Sequence, residues 1–229
     1  MAIAETAVVS TNALTGTSGT SDTFLPVSGQ WYLFWVSNKN AGQEEPTGLT
    51  HSSFSDIAQV ATRTIGTLRR VSLYEGYCDQ APATEGVVVS FGAADQDAIV
   101  IRVKTYTGMH ASVPVVQFKT ATATGTVAAV TFDAGTTVGN AVAGAIAFAS
   151  NSATLVWDST MVAAGNAGSG LADAIRTYNG FVAGQEDSPS GVISSSFEWG
   201  EIAVEIAASS ESGVVGQSTS NRTTRRRRR

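Results

Sequence analysis

In the segment AIVIRVKTY (Ala98–Tyr106), apolar and basic side chains alternate from Ile101 to Lys104. In an extended chain, alternate side chains point to opposite faces, so Arg102 and Lys104 share one face. The other face carries three β-branched residues: Ile99, Ile101 and Val103. This period of two predicts a half-buried β-strand, with the two basic residues on its polar side.

The same period recurs elsewhere in the chain. It runs through RRVSLYEGY (Arg69–Tyr77) and EIAVEIAA (Glu201–Ala208), where Glu201 and Glu205 fall on the polar face. Between such segments lie clusters of Gly, Ser, Thr, Asn and Asp, such as TGTSGTSD at 15–22, which are typical of turns. Many short strands joined by such turns predict an all-β protein, and we expect an antiparallel β-sandwich of about ten strands.

Two of the expected strands are apolar on both faces. WYLFWV (Trp31–Val36) has no polar face, and AVAGAIAF (Ala141–Phe148) is nearly as apolar. A strand of this kind needs cover on both sides. One side faces the sandwich core, and the other is covered either by a loop of the same chain or by a neighbouring subunit.

A faint internal repeat divides the chain into two similar halves of about five strands, at about 7–108 and 115–208. For example, RRVSLYEG in the first half corresponds in order to AIRTYNG in the second. The halves either interleave into one two-sheet sandwich or form two small ones. We favour one sandwich over 1–208, because five strands of this composition supply little core of their own. Residues 209–229 have no strand pattern and are expected to form a flexible linker and a polyarginine arm.

Charge is distributed unevenly, because the chain before Asn221 has eight basic residues against nineteen acidic ones, a formal charge of −11. The segment NRTTRRRRR (221–229) then brings six arginines within eight residues. Such an arm can pair with an acidic protein surface, neutralise phosphates or remain solvated. Since a nucleic-acid binder usually has a basic body too, nucleic acid is the less favoured partner and an acidic protein the more favoured one. The arginines expected to anchor that partner are Arg222, Arg225, Arg226, Arg227, Arg228 and Arg229.

Nucleophilic catalysis has no signature in the sequence. A serine triad needs a histidine as base with an orienting acid, but His51 and His110 both lie in loop-like segments and are expected at the surface. No G-x-S-x-G motif is present. Cys78 is the single cysteine, so it forms no intrachain disulfide, and a structural or incidental thiol is expected.

Acidic residues are the remaining candidates for chemistry. Asp95 and Asp97 in one loop, and Asp22 in another, could offer oxygen ligands to Ca²⁺, but the calcium-loop pattern is absent. A glycosidase needs two carboxylates facing each other across a cleft. The candidates for such a pair follow no recognisable arrangement: Asp56, Glu75, Asp158, Asp173, Glu198 and Glu201. We therefore predict no catalytic residue, no metal site and no cofactor, and a protein that is not an enzyme.

Four tryptophans could in principle stack on sugars. Trp31 and Trp35 share a strand face with Leu33, so we expect this pair in the core. Trp157 and Trp199 lie nearer strand ends. They are the better candidates for a ligand rim, although core packing is the more common role of a tryptophan in such a place.

The segments GQWYLFWVSN, EPTGLT, RRVSLYEGY and GVVVSFGAADQDAIVIRVKTYTG together resemble the β-sandwich virion proteins of tailed bacteriophages. The closing EWGEIAVEIAAS is similar to the last strand of such proteins. The resemblance covers about Gly29–Ser209 and rests on strand pattern and turn residues, not on a catalytic motif. It implies a jelly-roll-like sandwich used as a head decoration, head fibre or tail adhesin protein.

From this resemblance we expect a non-enzymatic structural protein of a phage virion, made in the host cytoplasm, that decorates the capsid. Charged residues form 14% of the chain, below the roughly 25% usual for a soluble domain. We therefore expect a homo-oligomer, a trimer by analogy, that packs through low-charge sheet faces. No stretch of sequence predicts a secretory signal or a membrane span. The alternative is a carbohydrate-binding adhesin module on a tail or fibre.

Overall fold

The computed structural model describes residues 2–110, 112, 114–150, 152–158, 160–168 and 175–209, and this part of the chain contains fourteen strands and no helix. The strands of the N-terminal half are β1 (Ala4–Gly16), β2 (Ser18–Thr20), β3 (Trp31–Lys39), β4 (Gly48–Thr50), β5 (Ile57–Ile65), β6 (Arg69–Tyr77), β7 (Val88–Ser90) and β8 (Gln96–Thr107). The strands of the C-terminal half are β9 (Val115–Ala129), β10 (Ala141–Phe148), β11 (Leu155–Trp157), β12 (Val162–Gly168), β13 (Arg176–Val182) and β14 (Ser190–Ile206).

The N-terminal half forms two antiparallel sheets. The larger one, here called the N-sheet, has the order β1-β8-β3-β6-β5, and the small sheet has the order β2-β7-β4. The sequence of strands 1-8-3-6 in one sheet and 2-7-4 in the other is the jelly-roll arrangement. Aromatic and aliphatic side chains, among them Phe34, Phe54 and Ile101, fill a core on the face of the N-sheet that the small sheet covers.

The C-terminal half repeats this strand order. Its large sheet, here called the C-sheet, has the order β9-β14-β10-β13-β12. The last residues of β9, the first residues of β14 and the strand β11 take the places of β2, β7 and β4. A second outer core, including Phe148, Trp157 and Trp199, lies on this side of the C-sheet. The two halves are therefore similar, and they do not exchange strands.

The N-sheet and the C-sheet pack face to face around a third, central core. Leu33, Trp35 and Leu73 enter this core from the N-sheet, and Ile202 and Val204 enter it from the C-sheet. A hydrogen bond of 2.7 Å between the hydroxyls of Thr177 and Ser37 also crosses between the sheets. The chain is thus an all-β antiparallel sandwich, as the sequence predicted, with each half contributing one of the two central sheets.

Both strands that are apolar on two faces are covered by their own chain. The β3 strand has the central core on one face and the outer core of the N-terminal half on the other. The β10 strand is buried in the same way between the central core and the outer core of the C-terminal half. The sequence left open a loop of the same chain or a neighbouring subunit as cover, and the cover in the structure comes from the same chain, from other sheets as well as loops.

The prediction that β8 and β14 each expose a polar face to solvent is wrong. Arg102 and Lys104 are 4% and 0% exposed, and Glu201 and Glu205 are 0% and 1% exposed. Both strands do alternate with a period of two, but the second face of each strand packs against another layer of the fold and is not exposed to water. Alternation alone cannot distinguish these cases, because it reports that two faces differ and not what covers them.

The buried basic residues of β8 find partners at the edges of the two sheets. The Lys104 Nζ donates to Glu5 Oε1 at 2.7 Å and to the Ala164 carbonyl oxygen at 2.6 Å. Arg102 Nη2 donates to the same carbonyl at 3.3 Å, and the Tyr106 hydroxyl donates to Glu5 Oε2 at 3.2 Å. Burial lowers the pKa of Lys104, and its hydrogen bond to Glu5 opposes that shift. The cluster joins β1 to β12 across the central core.

The buried acids of β14 have contrasting surroundings. Neither carboxylate oxygen of Glu201 has a hydrogen-bond partner in the described part of the chain, and burial raises its pKa well above the ordinary value. Glu205 accepts hydrogen bonds of 2.7 Å from Thr137 N, Asn140 Nδ2 and Gln117 Nε2. Burial tends to raise the pKa of Glu205, but these hydrogen bonds outweigh it and the pKa is lowered.

Truncating the central core should weaken both halves together. Trp35 is 1% exposed in that core, and Trp35→Ala is expected to lower the free energy of unfolding by about 3–5 kcal/mol. Urea unfolding followed by fluorescence and circular dichroism should show one shifted transition. Val138→Ala, at an 81% exposed valine, is the control, with a change within about 0.5 kcal/mol. Two separate transitions in the tryptophan variant would contradict the shared core.

Replacing Glu201 should change how stability depends on pH. Because the folded-state pKa of Glu201 is raised, the wild type loses stability as pH rises from the unfolded pKa towards the folded one. Glu201→Gln removes that loss, so its free energy of unfolding relative to wild type should increase between about pH 4 and about pH 8. Glu205→Gln is the matched contrast: because the Glu205 pKa is lowered, the free energy of unfolding of this variant relative to wild type should decrease with rising pH below about pH 5 and stay level above it. Parallel pH profiles for the two variants would refute this.

Candidate functional site

A groove with a volume of about 230 Å³ opens where β3 begins and β6 ends. We call it the acidic groove. The side chains that give it its chemistry are Trp31, Ser55, Asp56, Glu75, Tyr77 and Asp79. It thus combines two aromatic rings, three carboxyl groups and two hydroxyls, those of Ser55 and Tyr77, and no lysine or arginine is among its lining residues.

The central core ends before it reaches this groove. Near Ile65 and Val71, β14 lies so close to the N-sheet that a Cβ on Gly200 would lie 2.6 Å from Ile65 Cγ1. At the other end of β6, Glu75 and Tyr77 continue the same face as Val71 but are only half-buried. The central core therefore stops part-way along β6, and the remaining face forms the floor of the groove.

The aromatic pair of the groove is Trp31 with Tyr77. Their ring centroids are 5.2 Å apart with planes tilted by 46°, and both side chains are half-buried. The sequence placed Trp31 in the core together with Trp35. Trp35 is in the central core, whereas Trp31 lies at the end of the strand, where the alternation that predicts its face says nothing about cover.

The carboxyl groups of the groove are held differently. Asp79 Oδ1 accepts a hydrogen bond of 2.8 Å from Ser55 N, and its other oxygen accepts one from the Ser55 hydroxyl. These bonds lower the pKa of Asp79. Burial raises the pKa of Glu75, whose Oε2 has no hydrogen-bond partner among the described residues. Asp56 is exposed at the edge.

A second cavity, of about 530 Å³, adjoins the groove and shares Ser55 and Asp56 with it. Glu85 lies on its wall and accepts a hydrogen bond from Ser52 N, which lowers the Glu85 pKa. His51 also lies here, packed between the rings of Phe24 and Phe54 at centroid distances of 4.9 and 5.2 Å. The two cavities together are lined by four acidic residues and no basic one except this histidine.

His51 is neutral at ordinary pH, although its Nδ1 lies 3.5 Å from Glu85 Oε1. That nitrogen accepts a hydrogen bond of 3.2 Å from Ser53 N, so it carries no proton to share with the carboxylate. Burial lowers the His51 pKa, and the nearby Glu85 opposes this only in part. The expectation of a surface histidine is wrong, because His51 is 5% exposed; its ring completes an aromatic cluster.

A third, smaller cavity of about 190 Å³ is also lined by Trp31. Gly108 and Met109 line it, and both are joined to the last described residues of the chain. Ser209 N donates to the Gly108 carbonyl oxygen at 2.7 Å, and Met109 forms a β-bridge with Ala208. The described chain therefore ends at a cavity that shares Trp31 with the acidic groove.

The two tryptophans considered for a ligand rim are buried. Trp157 is 8% exposed and its Nε1 donates to the Asn179 carbonyl oxygen at 3.1 Å. Its indole also lies against Gly180, where a Cβ would come within 2.5 Å of the ring. Trp199 is 5% exposed within the same outer core. Neither ring offers a face to a sugar, and the structure gives no support to a rim there.

Of the six carboxylates considered for a catalytic pair, the structure brings Asp56 and Glu75 into one groove. Glu201 is buried in the other half of the molecule. Asp173 and the six arm arginines, Arg222 and Arg225 to Arg229, lie outside the described residues. Asp79 and Glu85 escaped the sequence reasoning, since the strands and loops that bring them to Asp56 are separated along the chain.

Cys78 is buried, and burial raises the pKa of its thiol, which does not favour a nucleophile. Among the described residues, no three His, Cys, Asp or Glu side chains are grouped so that they could hold a metal ion. The same part of the chain has no helix of the length and apolar character needed to span a membrane. Comparisons with protein-family models, curated proteins and solved structures give no match.

The buried histidine should make the fold sensitive to mild acid. Because the folded-state pKa of His51 is lowered, the unfolded chain takes up a proton first, and stability falls as pH drops below about 6.5 towards the folded pKa. His51→Phe keeps a ring between Phe24 and Phe54 but cannot be protonated. Urea unfolding at about pH 8 and about pH 5.5 should show a smaller loss in the variant than in wild type. An equal loss would show that His51 is not responsible.

Proposed function

We propose that this chain is a non-enzymatic structural component of a bacteriophage virion, a capsid decoration or head protein that assembles through a low-charge sheet face. The resemblance of Gly29–Ser209 to phage virion sandwiches supports this origin. The two stacked jelly rolls support a structural role, because three hydrophobic cores stabilise them as one unit. Its localisation is then the virion, after synthesis in the host cytoplasm.

The observation that carries the proposal is a row of exposed valines on the C-terminal half. Val127, Val192 and Val156 are in register on β9, β14 and β11, and are 56%, 46% and 70% exposed. The flanking segments 126–129 and 154–157 contain no charged residue. Apolar side chains side by side on an open sheet face are typical of a protein contact.

The N-terminal half lacks this row, which makes the valines a specific feature and not a property of the fold. In the small sheet the corresponding register is Thr20, Val88 and Thr50. Both threonines are exposed and polar. We assign the valine face to contact between copies of the chain, and we assign anchoring on an acidic neighbour of the particle to the arginine arm.

Charge placed on the valine face should prevent assembly. Val127→Asp is expected to shift sedimentation of the full chain from an oligomer to a monomer, because a buried unpaired carboxylate is strongly unfavourable in a contact. The matched control is Thr20→Asp, at the corresponding exposed position of the small sheet, and it should leave assembly unchanged. If the wild type sediments as a monomer at all concentrations, or if both variants assemble equally, the valine face is not the contact.

Removing the arm should weaken attachment without disturbing the fold. A chain lacking residues 222–229 should unfold like wild type, but should occupy particles less, most clearly at raised salt, because the arm acts through charge. Mass spectrometry of purified particles gives the readout: hundreds of copies indicate decoration, and a handful indicate a tail or fibre. Absence of the chain from particles would refute the proposal, and occupancy unaffected by the deletion at every salt concentration would refute the anchoring role of the arm.

The alternative, a carbohydrate-binding adhesin, is supported by one observation. Trp31 and Tyr77 are half-buried beside Asp56 and Asp79 in the acidic groove, and rings with hydrogen-bonding groups can hold a small ligand. The valine face favours the structural role over it. Binding of a neutral glycan in the groove would reverse that order.

A further inference from the structure

We infer that the acidic groove binds the arginine arm of its own chain, with Arg222 and Arg225–Arg229 lying against Asp56, Glu75 and Asp79 and stacking on the Trp31–Tyr77 pair. This inference deepens the proposed function and rests on the arm being a contact segment, as proposed above. It concerns the free protein, before the arm meets an acidic neighbour.

Charge complementarity identifies the arginine arm as the occupant of the acidic groove. The groove and its adjoining cavity carry four carboxyl groups, from Asp56, Glu75, Asp79 and Glu85, and their lining includes no lysine or arginine. In this sequence the densest positive charge is the arm, with six arginines in eight residues. Nucleic acid would be repelled by the same carboxyl groups that attract the arm.

The chemistry of the groove suits guanidinium in particular. A guanidinium group forms paired hydrogen bonds with a carboxylate and stacks on aromatic faces. The groove offers both features within one cavity, because Trp31 and Tyr77 line it together with the three carboxyl groups. Asp56 and Asp79 are exposed at the groove, so their carboxylates are accessible to a guanidinium.

The chain path brings the arm to this place. Ser209, the last described residue, is bonded to Gly108, and Gly108 and Trp31 line the same small cavity. Trp31 also lines the acidic groove, so one residue borders both the cavity at the end of the described chain and the groove. Residues 210–221 can span up to about 40 Å when extended, which is ample. A tether of this kind gives an effective concentration on the order of millimolar.

The consequence is a held arm that a stronger acidic surface can displace. In the free protein the arginines are occupied, which limits their unspecific attraction to nucleic acid in the cytoplasm. On the particle, an acidic neighbour takes the arm and leaves the groove open.

The test uses a labelled synthetic peptide of residues 221–229 as the probe. Wild-type chain is compared with a full-length arm variant in which Arg222 and Arg225–Arg229 are replaced by serine. At low salt, the arm variant should bind the peptide at least about tenfold more tightly, because wild type fills its own groove. Equal affinity of the two proteins would overturn the inference.

The site is tested in the arm-variant background. The combination Asp56→Asn, Glu75→Gln and Asp79→Asn should weaken peptide binding at least about tenfold. The matched control neutralises three exposed carboxylates elsewhere: Asp95, Asp97 and Asp133. Of these, Asp95 and Asp97 lie near Lys39, at the opposite end of β3 from Trp31. An equal effect of both combinations would show general charge attraction and would overturn the site.

A second readout does not depend on the groove variants folding. The Trp31 indole NMR signal should differ between wild type and the arm variant at low salt and coincide at high salt, at all protein concentrations. A shift that appears only with rising concentration and arm-dependent sedimentation would place the arm in a second copy, against the inference. A neutral glycan bound by the arm variant in place of the peptide would assign the groove to sugars.

These outcomes are separate from those of the proposed function. If groove variants show no arm binding but arm deletion still reduces particle occupancy, the inference fails and the proposed function stands. If the arm binds the groove but its deletion leaves occupancy unchanged, the anchoring role fails and the groove remains its site.

Discussion

The central packing of one sheet on the other is the constraint on which the rest of this molecule depends. One face of each large sheet is covered by the outer core of its own half. When the N-sheet and the C-sheet pack together, the other face of each sheet is removed from water as well. Charged side chains in the middle of the inner strands, such as Arg102 and Lys104, are then buried, and a buried charge is tolerated when it is paired and hydrogen-bonded. Lys104 meets this condition through Glu5 and the Ala164 carbonyl. The close approach of β12 depends on Gly165, which has φ +108°, and where a Cβ would collide with the Arg102 guanidinium.

Much of this fold could be predicted from the sequence, because the period of two in segments such as Ala98–Tyr106 reports strands directly. The similar halves were also visible in the order of the segments. The sequence could not show that the two sheets stack as separate layers. The prediction that Arg102 and Glu201 lie on exposed faces was therefore wrong. Cover is a property of the whole fold, and local alternation carries no information about it.

The candidate site was harder to predict from the sequence than the fold, for a related reason. Trp31, Asp56 and Asp79 come from three separate segments, and each looks ordinary in its own surroundings. The sequence predicts Trp157 and Trp199 near strand ends, where side chains are often open, but Trp199 lies in the middle of β14 and the outer core of the C-terminal half includes both rings. The groove forms where the central core stops part-way along β6, and local sequence carries no information about that place.

One difference between the halves affects how each can open. In the N-terminal half the small sheet and the N-sheet are linked through a turn at 91–95 between β7 and β8. In the C-terminal half the corresponding strands are a single one, β14, which runs from the outer layer into the C-sheet with a register shift between Val192 and Phe197. A layer attached through a turn can separate while its neighbour stays folded, whereas one continuous strand ties two layers into a single cooperative unit. Amide hydrogens of the small sheet should therefore exchange by local opening, and those of β14 by opening of the whole half.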